Sequence, residues 1–344
     1  MANRKLVDTQ SPIFAPINAS LILKKILIIR FSSIGDIVLT SPVIRCLRQS
    51  IPDAEIHYLT KTNFRSITEN NPLLDKVHSF DQSIKEILPA LKKEKFDFVV
   101  DLHNNLRSFR VRTALRRPSA TFPKLNFKKW ILVNFKKNLL PDIHIVDRYF
   151  KAVEPLGVVN DGQGLDFFIS VKERVVPELT FGWPKENYIA LVVGAAHFTK
   201  RIPLEKLREI CRNTEGPIVA LGGKEDAATG EKLAAEFPEK VYHACGKCSL
   251  NQSASVIKHA RHVITGDTGL MHIAAAFQRP ITVLWGNTVP EFGMYPYVQN
   301  TKWQSLEVDG LDCRPCSKIG FSKCPKGHFK CMLDQQVSQI HQPS

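Results

Sequence analysis

Lys25-Ile-Leu-Ile-Ile-Arg-Phe-Ser-Ser-Ile-Gly-Asp36 is the stretch from which the rest of the chain can be read. Through Arg30 it is a continuous apolar run, the pattern of a strand buried on both faces. A short Ser/Gly turn follows, then a helical pattern from Ile37 to Leu47 that stops before Pro52. Strand, turn and helix form the opening unit of a parallel sheet, and the alternation continues outward. Glu55–Leu59 and Phe98–Asp101 read as strands, with helical stretches near Phe64–Asn70 and Ser83–Lys93. The second half repeats the alternation, with strands at Tyr188–Val193, Ile218–Leu221, Val241–Ala244, His262–Thr265 and Ile281–Trp285. Helical patterns lie between them around Leu204–Cys211, Ala227–Phe237, Leu250–Ala260 and Leu270–Phe277. Periodicity breaks near residues 160–185 at Gly162, Gly164, Pro177, Gly182 and Pro184, as expected of an interdomain linker. The expected fold is α/β, with two parallel-sheet halves facing a central cleft.

Bulk properties agree with two such halves. A chain of 344 residues, 44% of them hydrophobic, is long enough for two ordinary cores. No segment approaches the roughly 20 apolar residues of a membrane span. Lys24 and Lys25 interrupt the apolar stretch Leu21–Ile29 and no small-residue cleavage site follows, so no signal peptide is read there. Residues before about Leu21 lack periodicity and read as a loose or disordered arm, 1–20.

The formal charge of +14 is uneven: Arg107 to Lys137 holds ten Lys/Arg and no Asp or Glu. Such a stretch favours a polyanion, whether nucleic acid, an acidic membrane surface or a phosphorylated substrate; it also suits a solvated face with no partner. Phe122, Phe127, Trp130 and Phe135 interleave with the cations. That combination fits a headgroup layer as well as base stacking.

Two loops fall where strand C-termini meet the cleft, the place at which open sheets bind ligands. In Phe31-Ser-Ser-Ile-Gly-Asp36, Gly35 permits an unusual backbone angle or close approach to a ligand. Asp36 is equally readable as an N-cap or as a carboxylate that accepts a proton from an attacking hydroxyl. In Thr265-Gly-Asp-Thr-Gly-Leu-Met-His272, small residues at a helix start leave backbone N–H groups free for a pyrophosphate. Asp267 would repel phosphate and is better suited to sugar hydroxyls. A capped helix with glycine used for tight packing is the plainer reading of the same loop.

Ile28-Ile-Arg-Phe-Ser-Ser-Ile-Gly-Asp36, together with Gly266-Asp-Thr-Gly-Leu-Met-His272, resembles glycosyltransferase family 9, the heptosyltransferases. The resemblance extends to Asp101-Leu-His-Asn-Asn-Leu-Arg107, Gly194 to Pro203 with its Lys-Arg-x-Pro, Leu221-Gly-Gly-Lys-Glu225 and Gly246-Lys-Cys-Ser-Leu250. It covers most of Lys24 to about Leu333, with the motifs in the expected order. It implies two Rossmann-like domains in the GT-B arrangement, residues 21–170 for the acceptor and 171–344 for the nucleotide sugar. It implies inverting transfer of heptose from ADP-heptose to a lipid A-linked core acceptor, with no metal and no cofactor. Asp36 falls on the general base, and Lys200 on the cation that binds the donor diphosphate beside Thr268 and Gly269. Asp267 and His272 fall on donor-site positions, Glu225 near the ribose and Cys248 at the adenine wall. Ala195 and Ala196 depart from the hydroxyl residues frequent before that lysine, so a contact there must come from backbone. Ser33, Gly35, Arg107, Lys128 and Lys129 are expected on the acceptor side. The implied location is cytoplasmic, peripheral on the inner face of the cytoplasmic membrane, where the basic stretch would meet anionic lipid; no nucleic acid is expected.

Two rivals share parts of this pattern. A GT-B transferase or epimerase using another nucleotide sugar would have a similar layout. A basic nucleic-acid-binding protein with a degenerate nucleotide site would share the charge, but the set Asp36, Lys200 and Asp267–His272 is intact. Cys313, Cys316, Cys324 and Cys331 put four thiols in nineteen residues, a density compatible with structural zinc. Only the first pair has ligand-like spacing, and no metal is assigned.

Overall fold

The computed structural model describes residues 23–341 apart from 176–181 and 183–186. The arm expected over 1–20 and the linker residues Pro177 and Pro184 lie outside that range. The first sheet is built from β1 (Lys25–Ile29), β2 (Glu55–Lys61), β3 (Lys76–Phe80), β4 (Phe98–Asp101) and β5 (Ser119–Thr121). Their order is β3-β2-β1-β4-β5, with every pairing parallel. The second sheet contains β6 (Ile189–Val192), β7 (Ile218–Leu221), β8 (Val241–His243), β9 (His262–Gly266), β10 (Ile281–Leu284) and β11 (Trp303–Leu306). It runs β11-β10-β9-β6-β7-β8, again entirely parallel.

The apolar run of β1 follows from its central place. Ile26 and Ile28 join the core on one face of the sheet, while Leu27 and Ile29 join a separate core on the other. Alternate side chains of a strand point to opposite faces, so both sets must be apolar when both faces are covered. In each sheet the strand order reverses about the first strand, β1 or β6. Ligands bind in the crevice outside such a reversal, and the loops after β1 and β6 both open there.

Three expectations change. The helix read from Ile37 to Leu47 is two helices, α1 (Ile34–Val38) and α2 (Ser41–Ser50). Pro42 sits in the first turn of α2, where its missing N–H is harmless; a continuous helix would set its ring against the carbonyl of Val38. The stretch near Phe64 is a 3-10 turn, Thr62–Ile67. Ser83–Lys93 divides into a 3-10 turn, Ile84–Glu86, and α3 (Leu88–Lys93), with Pro89 again in a first turn. Strands β3, β5 and β11 were not read from sequence; all are sheet edges with partly exposed residues.

The remaining helices are α4 (Leu106–Leu115), α5 (Asn126–Phe135), α6 (Ile145–Phe150), α7 (Leu204–Asn213), α8 (Ala227–Glu236), α9 (Leu250–His259), α10 (Gly269–Ala276) and α11 (Lys330–Leu333). One buried cluster runs from Ile26 and Val43 in the first half to Met271 and Trp285 in the second. Arg45 on α2 ties down the connecting segment: it donates to both oxygens of Asp161 (2.7 and 2.8 Å), to the Gly164 carbonyl (2.9 Å) and to Asp166. No helix is long and apolar enough to cross a membrane among the described residues.

Candidate active site

A cleft of about 670 Å³ lies between the two sheets, lined by both halves. The first half contributes the start of α1 and one face of α5. The second contributes the loops after β6, β7 and β9.

Asp36 is the third residue of α1 and Ser33 is its N-cap, so the carboxylate is not itself the cap. Its Oδ2 accepts from the Ser33 N–H (3.1 Å) and the Ser33 hydroxyl (2.7 Å). Its Oδ1 pairs with the Arg30 guanidinium at 2.5 Å. Arg30 is buried and fixed in turn by donating to the carbonyls of Ser32 (2.8 Å) and Leu102 (2.6 Å). Burial opposes the Asp36 charge, but Arg30 and the two Ser33 donors outweigh it and hold the carboxyl at about 2. Asp36 is therefore ionised throughout the neutral range. Arg30 lies inside the stretch that carries the resemblance, but no role was read for it from sequence; its pairing with Asp36 emerges only in the structure.

Gly35 has ordinary helical geometry, contrary to the expectation of an unusual backbone angle. A Cβ there would stand 2.4 Å from the His272 ring, so the glycine makes room for a side chain of the other half. Gly269 does the same in reverse, since its Cβ would lie 2.6 Å from Ile34. Helices α1 and α10 thus cross at two glycines, and the packing reading of the second loop holds at Gly269. Thr268 caps α10, its hydroxyl accepting from the Met271 N–H. Gly269 and Leu270 follow at the cleft wall, where the first N–H groups of an eight-residue helix lack intrahelical partners.

Lys200 pairs with Asp267 at 2.6 Å, and Asp267 also accepts from Thr288 at 2.8 Å. His272 is buried at the cleft wall, and burial pushes its imidazole down to about 4, leaving it neutral. Glu225 lines the cleft from an exposed turn after β7. Cys248 also lines it, half-buried, with burial raising its thiol to about 11; it acts there as a small apolar wall. Ala195 and Ala196 border the same space.

Of the acceptor-side residues, Ser33, Gly35 and Lys129 reach the cleft, and Arg107 and Lys128 do not. The Arg107 guanidinium lies over the Phe31 ring, 5.9 Å from its centroid. Lys128 is exposed, because consecutive helical residues point about 100° apart. Lys129 faces inward over Phe292 (5.8 Å), and burial together with nearby Arg148 lowers its ammonium to about 7.

Asp226, buried and given no role from the sequence, organises the turns after β6 and β7. It accepts from the Gly223 N–H (2.9 Å), and no Cβ could be placed on Gly194 without striking it. Lys318 and Ile319 of the cysteine-rich segment also line the cleft, a long-range contact without a sequence signal. All eight cysteines are free. Among the described residues, the grouping of three metal-ligating side chains with donor atoms within 4.8 Å is His57, His78 and Glu94, far along the chain from Cys313, Cys316, Cys324 and Cys331. Asp101 serves its own turn: it accepts from the N–H groups of His103 (3.0 Å) and Asn104 (2.7 Å) and pairs with Arg112.

A lysine and a helix start on one wall, with an ionised carboxylate on the other, form a cleft whose chemistry suits a phosphate-bearing ligand and an enzyme of group transfer. Comparison narrows the class. The model of glycosyltransferase family 9 (heptosyltransferase) matches residues 84–320, and the chain belongs to that family. Lipopolysaccharide heptosyltransferase 1 of Campylobacter coli is 26% identical over 293 residues, covering 77% of this chain and 84% of the relative. A family 9 glycosyltransferase from Veillonella parvula superposes with a TM-score of 0.68 at 25% identity, covering 82% of this chain and 86% of that one. The ADP-heptose heptosyltransferase II of E. coli gives 0.65 at 21% identity, covering 86% and 92%. The fold is GT-B, and the protein is a glycosyltransferase.

Proposed function

We propose that this enzyme transfers heptose from ADP-heptose to the inner core of a lipid A-linked acceptor, inverting the anomeric centre. One observation carries the reading: Asp36 of one half and the Lys200–Thr268–Gly269 group of the other line a single cleft. Residues 21–170 would hold the acceptor and 171–344 the donor. Asp36 would take the proton of the acceptor hydroxyl as it attacks C1 from the face opposite ADP. Lys200 and the start of α10 would stabilise charge on the departing diphosphate, which needs no divalent ion. Lys200 pairs with a carboxylate of its own wall, Asp267. Donor binding would shift the ammonium towards phosphate and free Asp267 for sugar hydroxyls. Glu225 is suited to the ribose, Cys248 to the adenine face, and neutral His272 to a hydroxyl of the sugar.

The acceptor and the charge of Arg107–Lys137 support work at the inner face of the cytoplasmic membrane, against anionic lipid. Calorimetry with ADP, UDP and GDP tests the donor half. ADP should bind most tightly, and Lys200→Met should weaken it by about ten-fold or more, as for a lost charge-assisted contact. Equal affinity for all three nucleotides, or no effect of the substitution, contradicts the assignment.

A further inference from the structure

Helix α5 turns aromatic side chains outward, the reverse of an ordinary surface helix. Phe127 is 71% exposed and Trp130 is 51% exposed; they are three residues apart, on one face, with rings stacked at 6.1 Å. The opposite face is occupied: Leu132 packs with Val289 and Phe292, and Lys129 looks into the cleft. Nor is the helix loosely held. Lys136 donates to the Pro315 carbonyl (2.8 Å), and Lys318 reaches Asn126 (3.4 Å).

The exposure is concentrated rather than scattered. Seven of the thirteen exposed large apolar side chains among the described residues lie between Leu106 and Ile143. The ten cations without an acid fall in the same segment. Helices α4 and α5 follow the C-terminal ends of β4 and β5, adjacent strands, so both emerge at one corner of the first sheet. Scattered surface apolar residues need no explanation, but an aromatic patch amid cations does. A second copy of this chain is a poor occupant, because two such surfaces carry like charge. Anionic lipid supplies both an opposite charge and an apolar layer beneath it.

We propose that α5 is an interfacial anchor, with Phe127 and Trp130 seated at the headgroup–acyl boundary of an anionic bilayer and Lys129 of the same helix facing the cleft. The proposal rests on the membrane reading above and adds to charge attraction an apolar insertion. A lipid-borne acceptor would then meet the cleft beside the helix that grips its membrane.

Vesicles of phosphatidylglycerol and phosphatidylethanolamine, without any lipopolysaccharide, test this directly by sedimentation. Wild type should bind at low salt and keep a measurable fraction at about 0.5 M salt, where surface charge is largely screened. Phe127→Ser/Trp130→Ser should partition about 10- to 100-fold more weakly, the range for losing buried aromatic side chains, with an unchanged thermal midpoint. Brominated lipid should quench wild-type fluorescence, and Trp130→Phe should abolish that quenching while retaining binding. Complete release by salt with no effect of the double substitution refutes the anchor and leaves an electrostatic contact. Absence of vesicle binding refutes the anchor and the membrane reading together. A dimer in solution that the double substitution dissolves, with no vesicle binding, assigns this face to a second copy instead.

Discussion

Arg30 and Asp36 lie six residues apart, and the turn between them brings guanidinium and carboxylate together. A carboxylate held at about 2 is a weak base towards an ordinary hydroxyl. It suits a proton transfer that comes late, once attack on C1 has made the hydroxyl acidic. Asp36→Asn should fold normally and lose transfer by roughly 10²–10⁴-fold, the range for a lost general base. ADP affinity should change little in the same variant, since the residues proposed to hold the diphosphate line the other wall. Near-normal turnover would leave Asp36 as a helix-start residue that ties Ser33 to Arg30, with no part in the chemistry. The position of Asp36 was legible from the strand–turn–helix pattern, but its paired state was not. Arg30 is fixed by the carbonyl of Leu102, from a neighbouring strand loop, and no local pattern encodes that contact.

Among the elements, α1 and α10 are coupled through glycines whose meaning differs from the one local reasoning suggests. Gly35 was expected to supply an unusual backbone angle or close approach to a ligand, whereas the structure uses its lack of a side chain against His272. Gly35→Ala should therefore destabilise by about 1–3 kcal/mol, the usual penalty for overpacking. It should also reduce kcat through misplacement of Asp36. Urea unfolding and steady-state kinetics check both; wild-type values would mean that the helices separate readily. The exposed basic residues behave differently. Lys129 faces the cleft and Lys136 holds carbonyls of the cysteine-rich segment, so Lys128 and Lys137 are the cleaner probes of membrane charge. Lys128→Glu/Lys137→Glu should weaken anionic-vesicle binding, each cation near such a surface contributing about 1 kcal/mol. ADP titration should be unaffected, and vesicle binding equal to wild type would remove these two lysines from the contact.

Over the whole molecule, the parallel alternation, the two halves and the cleft were readable, because buried parallel strands leave long apolar runs. Edge strands such as Lys76–Phe80 were not, since half-exposed residues dilute the pattern. The contribution of Lys318 and Ile319 to the cleft was hidden for another reason: it goes with contacts between the cysteine-rich segment and α5, 179 and 192 residues apart in the chain. Stability against pH is also a property of the whole. Burial pushes His78, His262 and His272 down to about 4, and His144 to about 3, so the folded protein keeps them neutral. Between pH 6.5 and 4 the unfolded chain binds more protons, so stability falls as pH falls. Each of these histidines contributes to that fall in the same direction. Urea midpoints at pH 7.5 and 5 should show this loss; equal midpoints would mean these rings are protonated in the fold. Asp36 has the opposite order, with its folded value below the ordinary 3.8, so its contribution is lost only in stronger acid. Acid inactivation should accordingly track unfolding rather than titration of the base.

The central claim is heptosyl transfer by Asp36 and Lys200 across one cleft. Mass spectrometry of a truncated lipid A-linked acceptor, incubated with the enzyme, ADP-heptose and excess EDTA, tests it most directly. The expected product is the acceptor carrying one added heptose, formed at an undiminished rate under chelation and absent with Asp36→Asn. An unmodified acceptor, or a sugar transferred only from a different nucleotide donor or only with added divalent metal, would contradict it.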